Sequence, residues 1–460
     1  MQRTNTFIIE DNNNFNILFK LADNCSKLWN ELNYERRNAY INGKSINWYP
    51  KHLYNKYSVI IGSATAQQII NKNNEAWRSF IALKKMEREG KLPEHIKKVS
   101  MPRYWKYKGK RELRIIVRND CYKVIDGYLY LPNSIRLRYK GNIRWKGKQG
   151  RLEIFYDRVD KVWRGFMSVN VSNNNNSNNN NNIDSSPRVR ESLTDESNKT
   201  TKRLYIDLGV RCLATVWYEG LKQPIAFSGN ELLADWWYWS SSRISEEQSR
   251  LAKINNANRS RRLSKLYRIR QRRFKHAINA MAKMIVDNAY HLGIREIMIV
   301  NLRGIRSNNN NNNYNNNTKA NAMVNNFWSY AYIVRRVKEK AEEYGINVKE
   351  VSEYKTSSIC IRCNSSSLSD IVKRGRLFRC LNCRLEAHRD AIGVLNIAYN
   401  NNNDNNNDMV NLYSKSKGKG IAIRVMAHPL LLRWSNDRWM PRRAMRSKAM
   451  NTLEARILTL

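Results

Sequence analysis

Thr356-Ser-Ser-Ile-Cys-Ile-Arg-Cys363 and Phe378-Arg-Cys-Leu-Asn-Cys383 carry two Cys-x-x-Cys pairs with sixteen residues between them, and Asp390 follows seven residues later. Four thiolates in two such knuckles meet the tetrahedral demand of a structural Zn²⁺, and the spacing is that of a zinc ribbon. Cys360, Cys363, Cys380 and Cys383 are the expected ligands. Two disulfides or four unrelated buried thiols are the alternatives. They fit poorly, because nothing else in the chain looks secreted and the remaining cysteines (Cys25, Cys121, Cys212) are scattered singly. A four-thiolate site has no open position, so the ion should hold a loop together and leave chemistry to other residues. Asp390 is the first lead to what that loop supports.

Working outward, apolar runs set the surrounding elements. A helix is expected over about 389–399. Upstream lie a strand at 347–352, an amphipathic helix at 325–345, a strand at 296–301 and a long basic helical region at about 241–292. Three further strands precede these, Arg203-Leu-Tyr-Ile-Asp-Leu-Gly209, Cys212-Leu-Ala-Thr-Val-Trp217 and Pro224-Ile-Ala-Phe227. Three strands, a helical excursion, then strand, helix, strand and helix give the order of an RNase H-like α/β domain over 201–400, with the ribbon inserted at 356–388.

The first 172 residues read differently. Helices are expected at 13–45 and 63–88, then short strands at 113–117, 128–131, 135–138 and 166–171, with Gly127, Gly141 and Gly150 marking turns. This predicts a small barrel or sandwich with a helical insert at about 13–95. Asn-rich stretches at 173–182, 308–317 and 400–407 offer no apolar surface and read as insertions. The first opens a linker over 173–200, and 401–460 is a basic tail beyond the motifs. The fold class is α+β and multidomain.

Lys and Arg outnumber Asp and Glu by 82 to 39 over 460 residues, a formal charge of +43. Such an excess calls for a large polyanionic partner. Arg103, Lys106, Lys108 and Lys110 sit among aromatics in Pro102–Arg111, and Arg259, Arg261, Arg262, Arg268, Arg270, Arg272 and Arg273 crowd one region. Aromatic interleaving suits phosphate contacts plus base stacking better than adsorption to a membrane. No apolar run reaches the length of a membrane span and no signal peptide opens the chain. A cytoplasmic, nucleoid-associated location is expected, with nucleic acid as the partner.

Asp207 lies inside an apolar strand, where an acid is costly unless a cation satisfies it; a turn or capping aspartate is the other reading. Asp390 opens an apolar helix, where a carboxylate also suits the first turn. The strand order brings the two together, and two carboxylates there could help hold two Mg²⁺ for in-line phosphodiester hydrolysis.

IDLGVRCLATV, IMIVNLRGIR, AEEYGINV, TSSICIRC with CLNC, and HRDAIGVLNIA resemble, in order, the successive motifs of the insertion-sequence-encoded TnpB proteins. The resemblance covers nearly all of 1–400. It implies an N-terminal β-barrel wedge domain with a helical insert, followed by a RuvC-like nuclease domain cutting double-stranded target DNA. It also implies a guide RNA from the element's own transcript and recognition of a short flanking motif by the N-terminal domains. Asp207 matches the family's first catalytic aspartate and Asp390 its last. The middle acid is missing: where Glu-Asp is usual, this chain has Val300 and Asn301, and His388 and Ile392 replace a common Asp and Asn. Glu353, ending the fifth strand, is the candidate substitute, with Glu296 behind it; Glu353 also fits a surface position leading into the ribbon.

Two readings therefore stand, a guided nuclease and a guided DNA-binding protein without cleavage. Survival of both aspartates favours the first. A strand-joining transposase is disfavoured, because no His-hydrophobe-His motif with a Tyr nucleophile is present.

Overall fold

The computed structural model describes residues 1–10, 15–93, 96, 98–107, 109–132, 134–171, 202–255, 257–302, 327, 329–352, 356–367, 369–401, 413–414, 422–423 and 428–442. The chain divides into two units, Met1–Asn178 and Asn179–Leu460. Among the sequence expectations, Glu353, Lys108, the Asn-rich stretches 173–182 and 308–317, the linker 173–200 and most of 400–407 lie outside the described residues.

The first unit opens on β1 (Gln2–Ile9), followed by α1 (Phe15–Ile41), α2 (Lys51–Ile61) and α3 (Ser63–Arg88). A small ladder, β2 (Lys106–Tyr107) with β3 (Lys110–Arg111), leads into β4 (Arg114–Val117), β5 (Lys123–Ile125), β6 (Tyr128–Leu131), β7 (Ile135–Lys140), β8 (Lys148–Asp157) and β9 (Val162–Asn170). The last six strands and β1 pair antiparallel in the order β4-β8-β9-β1-β7-β6-β5. Among the described residues no ladder joins β4 to β5, so the expected barrel is observed as an antiparallel sheet without hydrogen-bonded closure. Burial alternates along β9, as a sheet with one covered face requires. Phe7 pairs with Gly165, and a Cβ at Gly165 would collide with the Phe7 ring. Only glycine lets that ring lie across the strand.

Helices α1 and α3 are tied by buried polar groups. Asn33 Oδ1 accepts from Asn73 Nδ2 at 3.0 Å and from Trp77 Nε1 at 2.9 Å, while Arg36 donates to Asn73 and Asn74. Each group satisfies a partner that would otherwise be desolvated without compensation.

In the second unit β10 (Arg203–Asp207), β11 (Cys212–Tyr218) and β12 (Ile225–Ser228) form an antiparallel meander. β13 (Glu296–Val300) adds parallel to β10, and β14 (Asn347–Val351) adds parallel to β13. The helical region between β12 and β13 is broken into α4 (Asn230–Tyr238), a π-helical segment (Trp239–Ile244), α5 (Ser245–Asn255) and α6 (Arg261–His291). The hydroxyls of Ser240, Ser241 and Ser242 donate to carbonyls four residues back at 2.7–2.9 Å, competing with the backbone where the helix departs from α geometry. Ser260 caps α6 by accepting from the Leu263 N–H at 2.9 Å. α7 (Tyr330–Glu343) packs on α6.

The ribbon contributes β15 (Ile371–Arg374), β16 (Leu377–Cys380) and β17 (Glu386–His388), an antiparallel three-stranded sheet. It runs straight into α8 (Arg389–Asn401), which packs against β10 and β11.

Beyond a two-residue ladder, β18 (Tyr413–Ser414) with β19 (Ala422–Ile423), the chain returns to the main sheet. β20 (Leu430–Ser435) pairs parallel to β12, and β21 (Arg438–Pro441) pairs antiparallel to β20, giving the order β14-β13-β10-β11-β12-β20-β21. Part of the tail expected to lie beyond the motifs is thus sheet. Trp439, 5% exposed, donates Nε1–H to the Ala277 carbonyl at 3.0 Å and meets Phe227 edge-on at 5.1 Å.

Candidate functional site

The four ribbon cysteines converge. Cys360 Sγ lies 3.5 Å from Cys383 Sγ, and Cys363 Sγ lies 3.5 Å from Cys380 Sγ. A disulfide needs about 2.05 Å. Tetrahedral Zn–S bonds of about 2.3 Å set sulfurs about 3.8 Å apart, close to what is seen. Backbone N–H groups of Arg362 and Cys363 donate to the Cys360 sulfur, and that of Cys383 to the Cys380 sulfur. Each second cysteine is followed by a residue in the left-handed region, Asn364 (φ 56°) and Arg384 (φ 58°), which turns the knuckle back. The donor set fits zinc.

The ribbon also fixes α8. The Arg389 N–H donates to the Arg376 carbonyl at 2.8 Å, and buried Asn396 donates Nδ2–H to the carbonyls of Thr356 (2.6 Å) and Ile359 (2.9 Å). Cys380→Ser is therefore expected to lose the ribbon zinc and to speed proteolysis within 356–390. Metal stoichiometry alongside limited proteolysis reads this directly; a zinc-free protein with unchanged protection would remove the structural role.

Asp207 ends β10 and Asp390 sits in the first turn of α8. Gly393 lies three residues past Asp390, on the same helix face. A Cβ on Gly393 would stand 2.6 Å from Asp207 Oδ2, so α8 presses directly on that carboxylate. Asp390 thus lies about one helical turn, a rise of ~5 Å, from the residue of α8 that packs on Asp207. Arg376 Nη1 donates to Asp390 Oδ1 at 2.6 Å and Oδ2 at 2.9 Å.

Extending the β10–β13 register by one residue sets Val300 level with Asp207, and Val300 is fully buried. No carboxylate stands at that position. Glu296 begins β13 at the opposite end of the strand, where Arg203 Nε (2.9 Å) and Lys349 Nζ (2.5 Å) hold it. That pairing makes Glu296 a sheet-end ion pair, remote from Asp207.

Two other residues occupy the neighbourhood. Cys212 opens β11 just across the tight 208–211 turn from Asp207, and a Cβ at Gly209 in that turn would meet the Cys212 carbonyl at 2.9 Å. Ligand atoms of Cys212, His388 and Asp390 all lie within 4.8 Å of one another. Burial, reinforced by the Asp390 carboxylate, pushes the Cys212 thiol well above its ordinary pKa. Burial lowers His388, with Arg376 and His428 acting in the same sense and Asp390 opposing them. His388 Nδ1 is buried and has no hydrogen-bond partner among the described residues. The sequence marked His388 only as a departure from a pattern and Cys212 only as a singleton.

The basic residues divide. Trp105 stacks on Trp29 at 4.4 Å, and the Arg103 carbonyl accepts from Trp29 Nε1 (3.0 Å) and Asn33 Nδ2 (2.8 Å). These contacts pin the backbone of the segment to α1 while Arg103, Lys106 and Lys110 stay exposed. Arg259, Arg261, Arg262 and Arg272 are likewise exposed, Arg259 in the loop before α6. Arg262 lies 3.6 Å from Glu247. Arg270 is different: half-buried, it lies over the Trp236 ring at 3.9 Å and donates to Ser240 Oγ at 2.6 Å. Arg273 is paired with Asp235 at 2.8 Å. No helix among the described residues is long and apolar enough to cross a membrane.

The family described as "Probable transposase" matches residues 183–306, and that described as "Cas12f1-like, TNB domain" matches 330–397. Over 398 residues the chain is 32% identical to a TnpB-like protein of Acidianus two-tailed virus, covering 82% of this chain and 84% of that protein. The chain belongs to the TnpB family. Among solved structures, a cryo-EM structure of a Cas12f1–sgRNA–target DNA complex aligns over 83% of this chain and 82% of that one, at 15% identity and a TM-score of 0.51. Within this TnpB-family chain, the ribbon and most of α8 in the second unit fall inside the Cas12f1-like match, and β10 to β13 inside the other.

Proposed function

We propose that this TnpB-family chain is a transposon-associated, RNA-guided DNA endonuclease with one RuvC-like site in its second unit. The observation that carries the reading is the packing of α8, which bears Asp390 in its first turn, on Asp207 at the end of β10 through Gly393. The sheet order β14-β13-β10-β11-β12 supports an RNase H-like domain over 201–400, here with β20 and β21 added and the ribbon inserted at 356–388. Residues 1–172 would serve as the wedge domain with its helical insert at about 13–95, joined through 173–200. Guide RNA and double-stranded target DNA are the partners, as in the Cas12f1 complex that shares the fold.

Asp207 and Asp390 are the groups that would hold divalent metal, Mg²⁺ by family expectation, supplying charge stabilisation and an activated water for in-line hydrolysis. Glu353 keeps its place as the candidate third carboxylate. The test is cleavage of guide-matched DNA by the full chain with its guide RNA, in Mg²⁺ and in Mn²⁺. Metal-dependent cutting is expected, abolished in Asp390→Asn with guided binding intact. Glu353→Gln should behave likewise if that residue is the third ligand. Cutting that survives Asp390→Asn would overturn the reading.

A second reading, a guided DNA-binding protein without cleavage, draws on Val300 beside Asp207 and on Arg376 across Asp390. Guided binding with no cutting in any divalent ion would establish it.

Either way phosphate contacts should dominate binding. Arg103, Lys106, Lys110, Arg259, Arg261 and Arg272 are the expected donors, and the log–log dependence of affinity on salt should steepen by about 0.9 per duplex phosphate neutralised. Arg103→Ala and Lys106→Ala should each flatten that slope by roughly one phosphate. An affinity indifferent to salt would assign the charge to something else.

A further inference from the structure

We infer that Cys212, His388 and Asp390 form a second metal site, distinct from the ribbon, that takes a borderline transition ion of the Zn²⁺ or Co²⁺ kind. Their ligand atoms lie within 4.8 Å of one another. A tetrahedral ion with bonds of about 2.0–2.3 Å holds its ligand atoms about 3.3–3.8 Å apart, so closing the site needs side-chain shifts on the order of 1 Å. All three positions come from rigid elements that meet at this point: the start of β11, the end of β17 and the first turn of α8. Asp207 is near enough to act electrostatically on the same thiol.

The chemistry of the donors selects the ion. One thiol, one imidazole and one carboxylate are poor ligands for Mg²⁺, which prefers an octahedral oxygen shell, and good ones for Zn²⁺. His388 Nδ1 is a buried ring nitrogen left without a partner in the described structure, an atom that coordination or a protein contact on ion binding would satisfy. Cys212 is 7% exposed, too buried for a thiolate unless a cation accompanies it. On binding, the Cys212 S–H bond breaks, the sulfur–metal bond forms and the proton leaves to solvent. Arg376 need not be displaced. It contacts both Asp390 oxygens, and one oxygen can turn to the ion while the other keeps the guanidinium as an outer partner.

The site occupies the centre where the nuclease reading needs metal and where Val300 leaves a carboxylate missing. Its consequence for cleavage rests on that reading; its existence does not. If both hold, Cys212 and His388 carry the role of the absent acid.

The experiment uses the full-length chain with the ribbon loaded by one equivalent of Zn²⁺, titrated with Co²⁺ alone. One further equivalent should bind, with a thiolate-to-cobalt charge-transfer band and release of protons. Cys212→Ser should abolish the band. His388→Ala should weaken Co²⁺ binding by at least about 10-fold. Cys121→Ser, a control in the first unit, should change nothing. Retention of the ribbon zinc and an unchanged far-ultraviolet circular dichroism spectrum show that each variant is folded. No second equivalent in the wild type overturns the inference, as does a second equivalent that persists with its band in Cys212→Ser. DNA cutting supported by Mg²⁺ in a protein with no second equivalent would sink this site and leave the nuclease reading standing.

Discussion

Gly393→Ala should lower guide-directed cleavage by roughly 10²-fold while leaving the protein at least as stable as before, the size of loss expected from an ångström-scale misplacement at a reacting centre. A methyl at this position would stand 2.6 Å from Asp207 Oδ2 and 3.5 Å from its Cγ. Real Cβ atoms do not approach that closely, so something must yield, and the free end of an aspartate yields more readily than a packed helix. The backbone has the opposite preference. Alanine in a helix interior is favoured over glycine by about 0.5–1 kcal/mol, so α8 should not weaken. The expected signature is lost cutting, an unchanged or raised melting temperature, an intact ribbon zinc and normal guided binding. Wild-type cutting in this variant would mean that the position of Asp207 is not used. An equal fall in nucleic-acid binding would mean that the disturbance spreads beyond the centre.

The largest effect on stability should come from Trp439→Ala. The indole is 5% exposed, its N–H is bonded to the Ala277 carbonyl of α6, and its ring meets both Phe227 of β12 and Trp434 of β20. Truncation removes the transfer gain and leaves a cavity bounded by three separate elements that cannot close together, a cost of about 3–5 kcal/mol. For a unit of this size that corresponds to a fall on the order of 10 °C in melting temperature. Trp439→Phe should recover much of the loss, since it keeps the ring contact and gives up only the hydrogen bond. A melting temperature within about 2 °C of wild type in the alanine variant would show that the hairpin is not integral to the sheet.

Much of the second unit was legible because its apolar runs are short, bounded and in a telling order. The strands at 203–207, 212–218 and 296–300 fall where continuous Ile, Leu and Val runs demand them, and the spacing of the four cysteines alone located the ribbon. Helix Ser63–Arg88 was read at its observed bounds, from a stripe including Ile69, Ile70, Trp77 and Phe80. Lys51–Ile61 was missed; it is a short helix separated from its neighbour only by Gly62 (φ 85°), too few turns for a clear period. β1 and β8 were missed as well: β1 alternates in burial, but polar Arg3 and Asn5 share its covered face with Phe7 and Ile9 and blur the apolar pattern, and β8 carries a register shift between Gln149 and Leu152. The terminal hairpin had a signal that went unused. Asn436 and Asp437, both at positive φ, form its two-residue turn between alternating apolar positions. The grouping of Cys212 with His388 had none. Those residues are far apart in sequence, and only the packing of α8 on β11 makes them neighbours.

The parallel seating of β20 on β12 also sets a hazard for the chain while it is being made. β12 leaves the ribosome about 200 residues before the strand that covers its outer edge. At roughly 5–20 residues per second, that edge waits on the order of 10–40 s with unpaired N–H and C=O groups on a strand that is buried throughout in the finished protein. A nascent or prematurely terminated chain ending near the Asn-rich stretch at 400–407 would keep it permanently. Such fragments should template one another into β-linked polymers, whereas on this side of the sheet the finished chain presents the four-residue β21, ending in Pro441.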